Sequence, residues 1–213
     1  VAGHMALCNA GRIIPLMQFD AKLVLKLYKK NRIAGMGGIP NMFKKLYYTK
    51  GFEGPHLAHT RLLFVGGDDL SPAFLEAFNG MLERNGTSAR LRQGYGLTEC
   101  APLLAGNNDF HLNKASTGPA IPDVELKIDN PNDEGVGEIL ARGDNIMLGY
   151  YNDPEETERV MRGGYFHTGD LGRFNSYGEL EFVSRKDSQI KHMGHRIELG
   201  EIEAAAATVS GVF

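Results

Sequence analysis

The sequence predicts an α/β protein: part of a parallel-sheet α/β subdomain, then a small β-barrel-like subdomain, then the start of a small α+β domain. Between residues 19 and 93, strand-like and helical patterns alternate, and glycine-rich breaks follow the strands. After residue 107 the pattern changes to short segments of alternating apolar and polar residues, separated by turns rich in Gly, Pro, Asn and Asp. We therefore expect residues 1–110 to belong to the large subdomain, 111–184 to the β-rich subdomain, and 185–213 to a hinge and the start of the small domain.

The first predicted helix and strand form one unit of the parallel sheet. In residues 19–32 the apolar side chains fall on one helical face, Asp20 is placed as the N-cap, and basic residues occupy the last turn. Residues 33–36 are short and apolar, as in a strand, and they run into a glycine turn, after which a second amphipathic segment begins at Asn41. A strand, a glycine turn and a helix in this order indicate a βα unit.

A second unit of the same kind follows. Residues 62–65 have the apolar character of a buried strand, a glycine pair breaks it, and Ser71 with Pro72 opens a helix. Residues 89–93 predict the next strand. Because the carboxyl ends of parallel strands meet at one edge of a sheet, where ligands bind, we expect the loops after both strands to lie together.

The loop after that strand, residues 92–102, has the composition of a ligand-contacting segment. Gly94 and Gly96 would allow the backbone to approach a ligand closely or to take a positive φ. Tyr95 offers a flat ring with a polar tip, and Glu99 is a hard oxygen donor of the kind that Mg²⁺ takes. Taken alone, a Gly-Tyr-Gly sequence is also an ordinary turn.

The second half of the chain predicts an antiparallel, mostly β region followed by a charged segment. The segments with apolar and polar alternation are residues 124–128, 137–142 and 179–183. Between them, residues 152–157 predict a helix start. Residues 184–203 are highly charged and lead into a helix through Ala207, at the start of the small domain.

Composition excludes several classes of function. Of 213 residues, 42% are hydrophobic and 23% charged, with a net charge of −3 and a pI near 6.2, which is typical of a soluble globular protein and argues against nucleic-acid partners. The two cysteines, Cys8 and Cys100, have neither a disulfide-framework nor a metal-site spacing, so we expect a reducing, cytoplasmic compartment. No apolar run approaches the ~18 residues of a transmembrane segment. The chain does not begin with Met, and we expect it to be a piece of a longer protein.

Four stretches carry a family resemblance: residues 94–99, 168–170, 185–187 and 191–203. In this order they resemble the adenylate-forming superfamily, which includes acyl-CoA synthetases, the adenylation domains of nonribosomal peptide synthetases, and luciferase. Residues 19–40 and 62–70 resemble the corresponding family stretches as well, so the resemblance covers nearly the whole chain. It implies a reaction in which a carboxylate attacks the α-phosphate of ATP to give an acyl-adenylate and pyrophosphate, after which a thiol takes the acyl group.

The resemblance also implies roles for individual residues. Those that would bind ATP or AMP are Gly66, Gly67, Asp68, Tyr95, Gly96, Thr98, Asp170, Phe182 and Arg185. Tyr95 would stack on or beside adenine, Thr98 would bond the α-phosphate, and Glu99 would hold Mg²⁺. The Asp170 carboxylate would accept both ribose hydroxyls, Arg185 would lie near the ribose and phosphate, and Phe182 would pack against the sugar.

The remaining implied roles belong to the last segment. Thr98, Glu99 and Lys191 would be the catalytic residues, Asp187 the hinge of the small domain, and Gly194 part of the loop that the hinge brings to the site. Each residue also has a structural alternative: Asp170 could cap a turn, and Arg185 could pair with Glu181.

Two family features are missing from this sequence. The Ser/Thr/Gly-rich phosphate loop that ends in a lysine does not occur, and the family's catalytic lysine near the far end of the small domain would lie beyond Phe213. We therefore expect no measurable adenylation activity from the 213 residues alone.

The sequence leaves the substrate open. Residues 143–151 resemble fatty or aryl acyl-CoA synthetases, whereas residues 187–203 resemble peptide-synthetase adenylation domains. We expect an AMP-forming ligase for a fatty or aryl acid, with CoA or the phosphopantetheine thiol of a carrier protein as acceptor. The alternatives are an amino-acid-activating adenylation domain and a nucleotide-binding module without catalysis.

Overall fold

A computed structural model describes residues 11–68, 70–108, 113, 115–186, 189–192, 195–198 and 206, the ranges 189–192 and 195–198 as backbone. The chain divides into two compact units, Val1–Ile121 and Pro122–Phe213.

The first unit is built on a four-stranded sheet in the order β1-β2-β3-β4. The strands are β1 (Gly35–Gly38), β2 (Leu62–Val65), β3 (Leu91–Tyr95) and β4 (Ala105–Gly106), and the helices are α1 (Ala21–Lys30), α2 (Pro40–Tyr47) and α3 (Pro72–Arg84). The first three strands are parallel, and β4 runs antiparallel to β3. Short 3-10 helices span Pro55–His59 and Thr98–Cys100. The expected α/β architecture with a parallel sheet is therefore confirmed.

Two helix starts that the sequence predicts are confirmed. The Asp20 side chain accepts a hydrogen bond from the Leu23 amide at 2.7 Å, and Ser71 Oγ accepts one from the Phe74 amide at 3.4 Å, with Pro72 next to the cap. These caps satisfy amide groups that the helices leave without an intrahelical acceptor.

Apolar faces of the helices form the core of this unit. Phe43 and Leu46 of α2 and Leu75 and Phe78 of α3 are fully buried. The rings of Phe43 and Phe78 meet edge to face with their centroids 5.7 Å apart, a favourable geometry for aromatic pairs. The core thereby packs the helices together and supports the sheet that carries the strand ends.

The bounds of two strands differ from the prediction. β1 covers Gly35–Gly38 instead of residues 33–36, because all four of its residues pair with β2, the last pair being Gly38 with Val65. β3 covers Leu91–Tyr95 instead of residues 89–93, because β4 pairs with its last two residues. Both shifts have the same cause: glycines that suggest a turn are held in a strand by a neighbouring backbone.

Among the described residues, the second unit contains a five-stranded antiparallel sheet in the order β5-β6-β8-β7, with β9 paired to β8. Its elements are β5 (Val124–Asp129), β6 (Gly137–Gly143), α4 (Pro154–Val160), β7 (Met161–Arg162), β8 (Tyr165–Phe174) and β9 (Leu180–Arg185). A hairpin of β10 (Gln189–His192) and β11 (His195–Glu198) follows. The predicted β-rich region is confirmed, and of the helix predicted through Ala207 the structure describes only Ala206, in helical conformation.

The ten-residue strand β8 is the main element that the sequence pattern did not predict. Its side chains alternate in burial, but the buried set includes Thr168 and Asp170 as well as Phe166. Since polar residues occupy apolar positions of the alternation, the hydrophobic pattern of a strand is hidden.

Candidate functional site

Three parallel strand ends meet in the first unit. Val65 of β2 is in register with Gln93 of β3, so the loops after these strands leave the same edge of the sheet. The Gly66 amide donates to the Gly38 carbonyl at 3.2 Å, and a Cβ on Gly66 would lie 3.3 Å from the Gly94 carbonyl oxygen. The backbone therefore draws all three ends together, as the sequence predicts for the carboxyl edge of a parallel sheet.

The loop after β2 presents polar groups to solvent. Gly67 has a φ of +85°, a backbone conformation that residues other than glycine rarely adopt. Gly67 and Asp68 are both exposed. Asp69, the next residue, lies outside the described residues.

Tyr95 lies at the end of β3 and not in a loop, which corrects the expectation for residues 92–102. Only 6% of its surface is exposed. It pairs with Ala105 of β4, and its carbonyl accepts a hydrogen bond from the Leu104 amide at 2.8 Å. Tyr95 is therefore packed into the end of the sheet, with a small exposed area.

Gly94 and Gly96 serve the chain's own packing. A Cβ on Gly96 would come within 2.0 Å of the Pro102 carbonyl oxygen, and one on Gly94 within 2.2 Å of the Phe64 ring. Neither glycine has a positive φ, so of the two reasons predicted for them the left-handed backbone is wrong, whereas close approach to a ligand stays a prediction. The groups that come so close are Phe64 for Gly94 and the returning chain at residues 102–105 for both glycines.

Thr98 and Glu99 are displayed on the 3-10 helix between β3 and β4. Thr98 is exposed and Glu99 half-buried, while Cys100, the last residue of the helix, is fully buried and anchors it. The helix ends at Ala101, whose left-handed φ of 50° turns the chain back towards β4. A hydroxyl and a carboxylate thus stand next to each other on a short, anchored turn.

The second unit carries a bulge in the middle of β8. Glu138 of β6 pairs with Leu171, and Leu140 pairs with His167, so one intervening residue of β6 faces the three residues 168–170 of β8. Gly169 at the centre has a φ of +70°, which glycine adopts without strain. The bulge lies at the Thr-Gly-Asp stretch that the sequence analysis selected.

Asp170 and Arg185 form a buried ion pair across β8 and β9, where they are register partners. Arg185 Nη1 donates to Asp170 Oδ1 at 2.8 Å and to the Thr168 carbonyl at 3.0 Å. The side chain of Asp170 is 0% exposed and that of Arg185 is 11% exposed. The predicted proximity of these two residues is present, and the alternative pairing of Arg185 with Glu181 is not, because Glu181 pairs with Arg173 at 2.9 Å.

Glu138 is a site residue that sequence reasoning missed. Its Oε1 accepts a hydrogen bond from the Gly169 amide at 3.2 Å, and its Oε2 accepts one from Lys186 Nζ at 2.9 Å. His167 Nδ1 lies 3.4 Å from the same oxygen. The signal was present in the sequence, since Glu138 interrupts a run of otherwise apolar residues in β6, where a charge requires partners.

These contacts govern the protonation of Glu138. Burial raises the pKa of this carboxyl group, but the hydrogen bonds from Lys186 and His167 and the charge of Lys186 outweigh burial and hold the pKa below its ordinary value. Glu138 therefore carries its negative charge next to the bulge at neutral pH.

The other predicted site residues have these positions. Phe182 lies on β9 opposite Gly172 and is 37% exposed. The backbone of Lys191 lies in β10, and its side chain is outside the described part of the chain, as are Asp187 and Gly194.

Two further properties concern metals and membranes. Among the residues that the structure describes, no group of three or more His, Cys, Asp or Glu side chains is arranged to hold a metal ion. Within the same residues, no helix is long and apolar enough to cross a membrane.

Comparison with known proteins decides the family. Residues 2–151 match the model of the AMP-binding enzyme family, which is more than half of the chain. The chain belongs to the AMP-binding enzyme family. Since this family is the adenylate-forming one that the sequence resembles, the resemblance is confirmed.

Two curated relatives of this AMP-binding chain are acid–CoA ligases. A long-chain-fatty-acid–CoA ligase of Salmonella typhimurium is 31% identical over 199 residues, which cover 91% of this chain and 35% of that protein. A 4-coumarate–CoA ligase of Oryza sativa is 31% identical over 214 residues, which cover 94% of this chain and 38% of that protein. The chain thus spans little more than a third of the length of the curated relatives it matches.

Solved structures share the fold. The amide bond synthetase McbA from Marinactinospora thermotolerans matches with a TM-score of 0.82 and 25% identity, over 99% of this chain and 44% of that one. ATP-bound MatB from Rhodopseudomonas palustris matches with a TM-score of 0.76 and 25% identity, over 100% of this chain and 42% of that one. The expected fold class is confirmed by these likenesses.

Proposed function

We propose that the whole protein is an AMP-forming acid–CoA ligase, which activates a carboxylic acid with ATP as an acyl-adenylate and passes the acyl group to a thiol. The observation that carries this proposal is the likeness to acid–CoA ligases over 91% and 94% of the chain. Alignments of that extent include both the strand ends of the first unit and the bulge of the second.

In the first unit, the proposal assigns the phosphates of the nucleotide to the turn after β3. Thr98 is exposed and can donate its hydroxyl proton to an α-phosphate oxygen. Glu99 would hold Mg²⁺ through its carboxylate, since this ion is usually bound with nucleotides through one or two protein carboxylates. When bound, Mg²⁺ would neutralise phosphate charge, and the protein's part is to position its carboxylate.

The loop after β2 would border the adenine and the acyl group. Gly66 and Gly67 keep the backbone free of side chains where β1, β2 and β3 end, so a flat ligand can approach main-chain groups closely. Asp68 is exposed beside them. Tyr95 would contact adenine with the 6% of its surface that is exposed.

In the second unit, the proposal assigns the ribose to the bulge of β8. A carboxylate has two acceptor oxygens, which suits the two adjacent hydroxyls of a ribose. Arg185 holds the Asp170 carboxylate in place, and because that side chain is 0% exposed, a ribose would have to displace neighbouring atoms to reach it. Arg185 supplies positive charge next to it, and Phe182 presents an exposed ring on the same strand for apolar contact with the sugar.

The relatives favour a fatty or aryl acid as the substrate, because one is a ligase for long-chain fatty acids and another a ligase for 4-coumarate. We propose CoA as the acceptor of the acyl group. The phosphopantetheine thiol of a carrier protein is the alternative acceptor and would react in the same way. Lys191 and Asp187 would act with the small domain, as catalytic residue and hinge.

Pyrophosphate release by the full-length protein tests the proposal. The assay would compare fatty acids, aryl acids and amino acids, each with ATP and Mg²⁺, and then add CoA, a phosphopantetheinylated carrier or an amine as acceptor. We expect turnover with fatty or aryl acids and acyl transfer to CoA. Turnover with amino acids alone would identify an amino-acid-activating domain, and AMP binding without any turnover would identify a nucleotide-binding module.

A further inference from the structure

Glu138 is a buried carboxylate for which the proposed function has no use. It is 8% exposed and lies in β6 within a run of five buried residues, Gly137 to Ala141. Each of its oxygens has a partner: the Gly169 amide at 3.2 Å and Lys186 Nζ at 2.9 Å. A buried charge of this kind is retained only where partner groups compensate it. The positions of Glu138 and of its two partners therefore depend on one another.

The two partners of Glu138 flank the Asp170–Arg185 pair. Gly169 directly precedes Asp170, and Lys186 directly follows Arg185. The Lys186 amide also donates to the Gly169 carbonyl at 2.8 Å. The Glu138 carboxylate therefore links β8 and β9 immediately next to the Asp170–Arg185 pair.

Side chains replace the regular β6–β8 ladder at this point. Because residues 168–170 bulge away from β6, backbone pairing is interrupted between Glu138 and Leu140. Thr168 Oγ1 donates to the Ile139 carbonyl at 2.7 Å, and Glu138 accepts the Gly169 amide, so two side chains make the connections that backbone groups would make in a regular sheet. The orientation of the bulge thus depends on Glu138.

We propose that Glu138 is a positioning residue for nucleotide binding, which holds Gly169 and Lys186 together and so fixes the orientation of Asp170 and Arg185 towards the ribose. This inference depends on the proposed function, since it takes the ribose as the ligand of that pair. Glu138 itself touches no nucleotide. Its effect on binding is exerted through the backbone at Gly169 and the ammonium group at Lys186.

The test compares three variants with the unsubstituted chain. Glu138→Gln keeps an oxygen for the Gly169 amide but removes the charge that Lys186 and His167 face. Glu138→Asp keeps the charge and shortens its reach, and it serves as the second variant if the first does not fold. Glu181→Gln is the matched control, because it removes a carboxylate charge from an ion pair between the same strands β8 and β9, at Arg173.

Calorimetric titration with AMP and with 2′,3′-dideoxy-AMP provides the readout that a purely structural role would not change. We expect the unsubstituted chain and Glu181→Gln to bind AMP at least about tenfold more tightly than the dideoxy analogue, the effect of losing hydrogen bonds to a charged acceptor. In Glu138→Gln the ratio should fall close to one. A folded Glu138→Gln chain that keeps the full ratio of AMP affinity to dideoxy-AMP affinity would overturn the proposal.

Amide hydrogen exchange separates this inference from the proposed function. In Glu138→Gln, exchange at Gly169 and Lys186 should accelerate about tenfold or more, while the control shows no change there. If the unsubstituted chain does not discriminate between the two nucleotides, the ribose assignment fails, and exchange alone then decides whether Glu138 positions the bulge. Unchanged exchange at both amides would reject the positioning role whatever the nucleotide result.

Discussion

Arg185 Nη1 lies 2.8 Å from Asp170 Oδ1, and the two residues face each other as register partners of β9 and β8. Both side chains are withdrawn from solvent, so their attraction is screened little by water. The stability of the second unit and its proposed ligand chemistry therefore depend on the same ion pair.

Replacing one member of this pair should be strongly destabilising. In Asp170→Asn the side chain keeps its size, but the buried Arg185 guanidinium loses its ion pair with Asp170, a charged hydrogen bond whose loss should lower the free energy of unfolding by about 1.5–3 kcal/mol. Glu181→Gln, at the more exposed pair with Arg173, should lose at most about 1 kcal/mol. Urea denaturation of both variants measures the difference, and equal losses would contradict the structural account.

Two glycine substitutions should have opposite effects on stability. Gly96→Ala places a Cβ 2.0 Å from the Pro102 carbonyl oxygen, so the turn that carries Thr98 and Glu99 must shift, at a cost of about 1–3 kcal/mol. Gly80→Ala lies in α3, where the Cβ would meet only Arg84 Nη1 at 3.5 Å, and it should stabilise the chain by about 0.5–1 kcal/mol. Thermal unfolding of both variants tests the signs. Stabilisation by Gly96→Ala would show that this backbone approach is not as close as the structure has it.

Glu138 should contribute a distinct pH dependence. Its folded-state pKa lies below the ordinary value of 4.5, because hydrogen bonds from Lys186 and His167 outweigh the effect of burial. The stabilisation by its charge is therefore complete above pH 4.5 and is lost as the pH falls through the lower folded-state pKa.

Thermal unfolding between about pH 7 and pH 3 tests this dependence. The unsubstituted chain should be more stable than Glu138→Gln at neutral pH, and the gap should narrow on acidification below the ordinary carboxyl range. A gap that stays constant over the whole range would show that the charge of Glu138 adds no stability.

Glu99 should affect nucleotide binding only through the metal. In Glu99→Gln the carboxylate that we propose for Mg²⁺ is lost, and ATP binding in the presence of Mg²⁺ should weaken at least about tenfold, the scale of one contact to a charged group. Binding of AMP without Mg²⁺ should stay within about twofold of the unsubstituted chain. Glu134→Gln, which removes the same charge from an exposed turn of the second unit, is the control. Titrations with and without the ion measure both effects, and equal weakening in the two conditions would argue against a metal role.

Local signals made much of the fold predictable. The caps at Asp20 and Ser71 mark helix starts through short-range chemistry that a sequence displays directly. The apolar run of β2 and the alternation of β5 likewise reflect what each strand buries in its own neighbourhood. The order of the motifs placed the candidate site residues at strand ends of the first unit and in the β-rich second unit.

Contacts between distant residues were the part that could not be predicted. β8 buries Thr168 and Asp170 where an apolar residue would be expected, and their compensation comes from Arg185 and from the β6 backbone, far away in sequence. Glu138 and Lys186 meet across 48 positions, and nothing in either neighbourhood indicates the other. Long-range pairing of charges has no sequence period, so it becomes visible only in the folded chain.

The bulge of β8 has a consequence for how this strand can change during evolution. Removing one residue from 168–170 would still leave two residues of β8 facing one of β6. It would also turn every side chain from Leu171 onwards to the opposite face of the sheet. Inserting a residue would have the same effect. Natural variants of this protein should therefore tolerate substitutions near residues 168–170 far better than insertions or deletions. The number of residues in β8 should vary less than the number in the turns on either side of it.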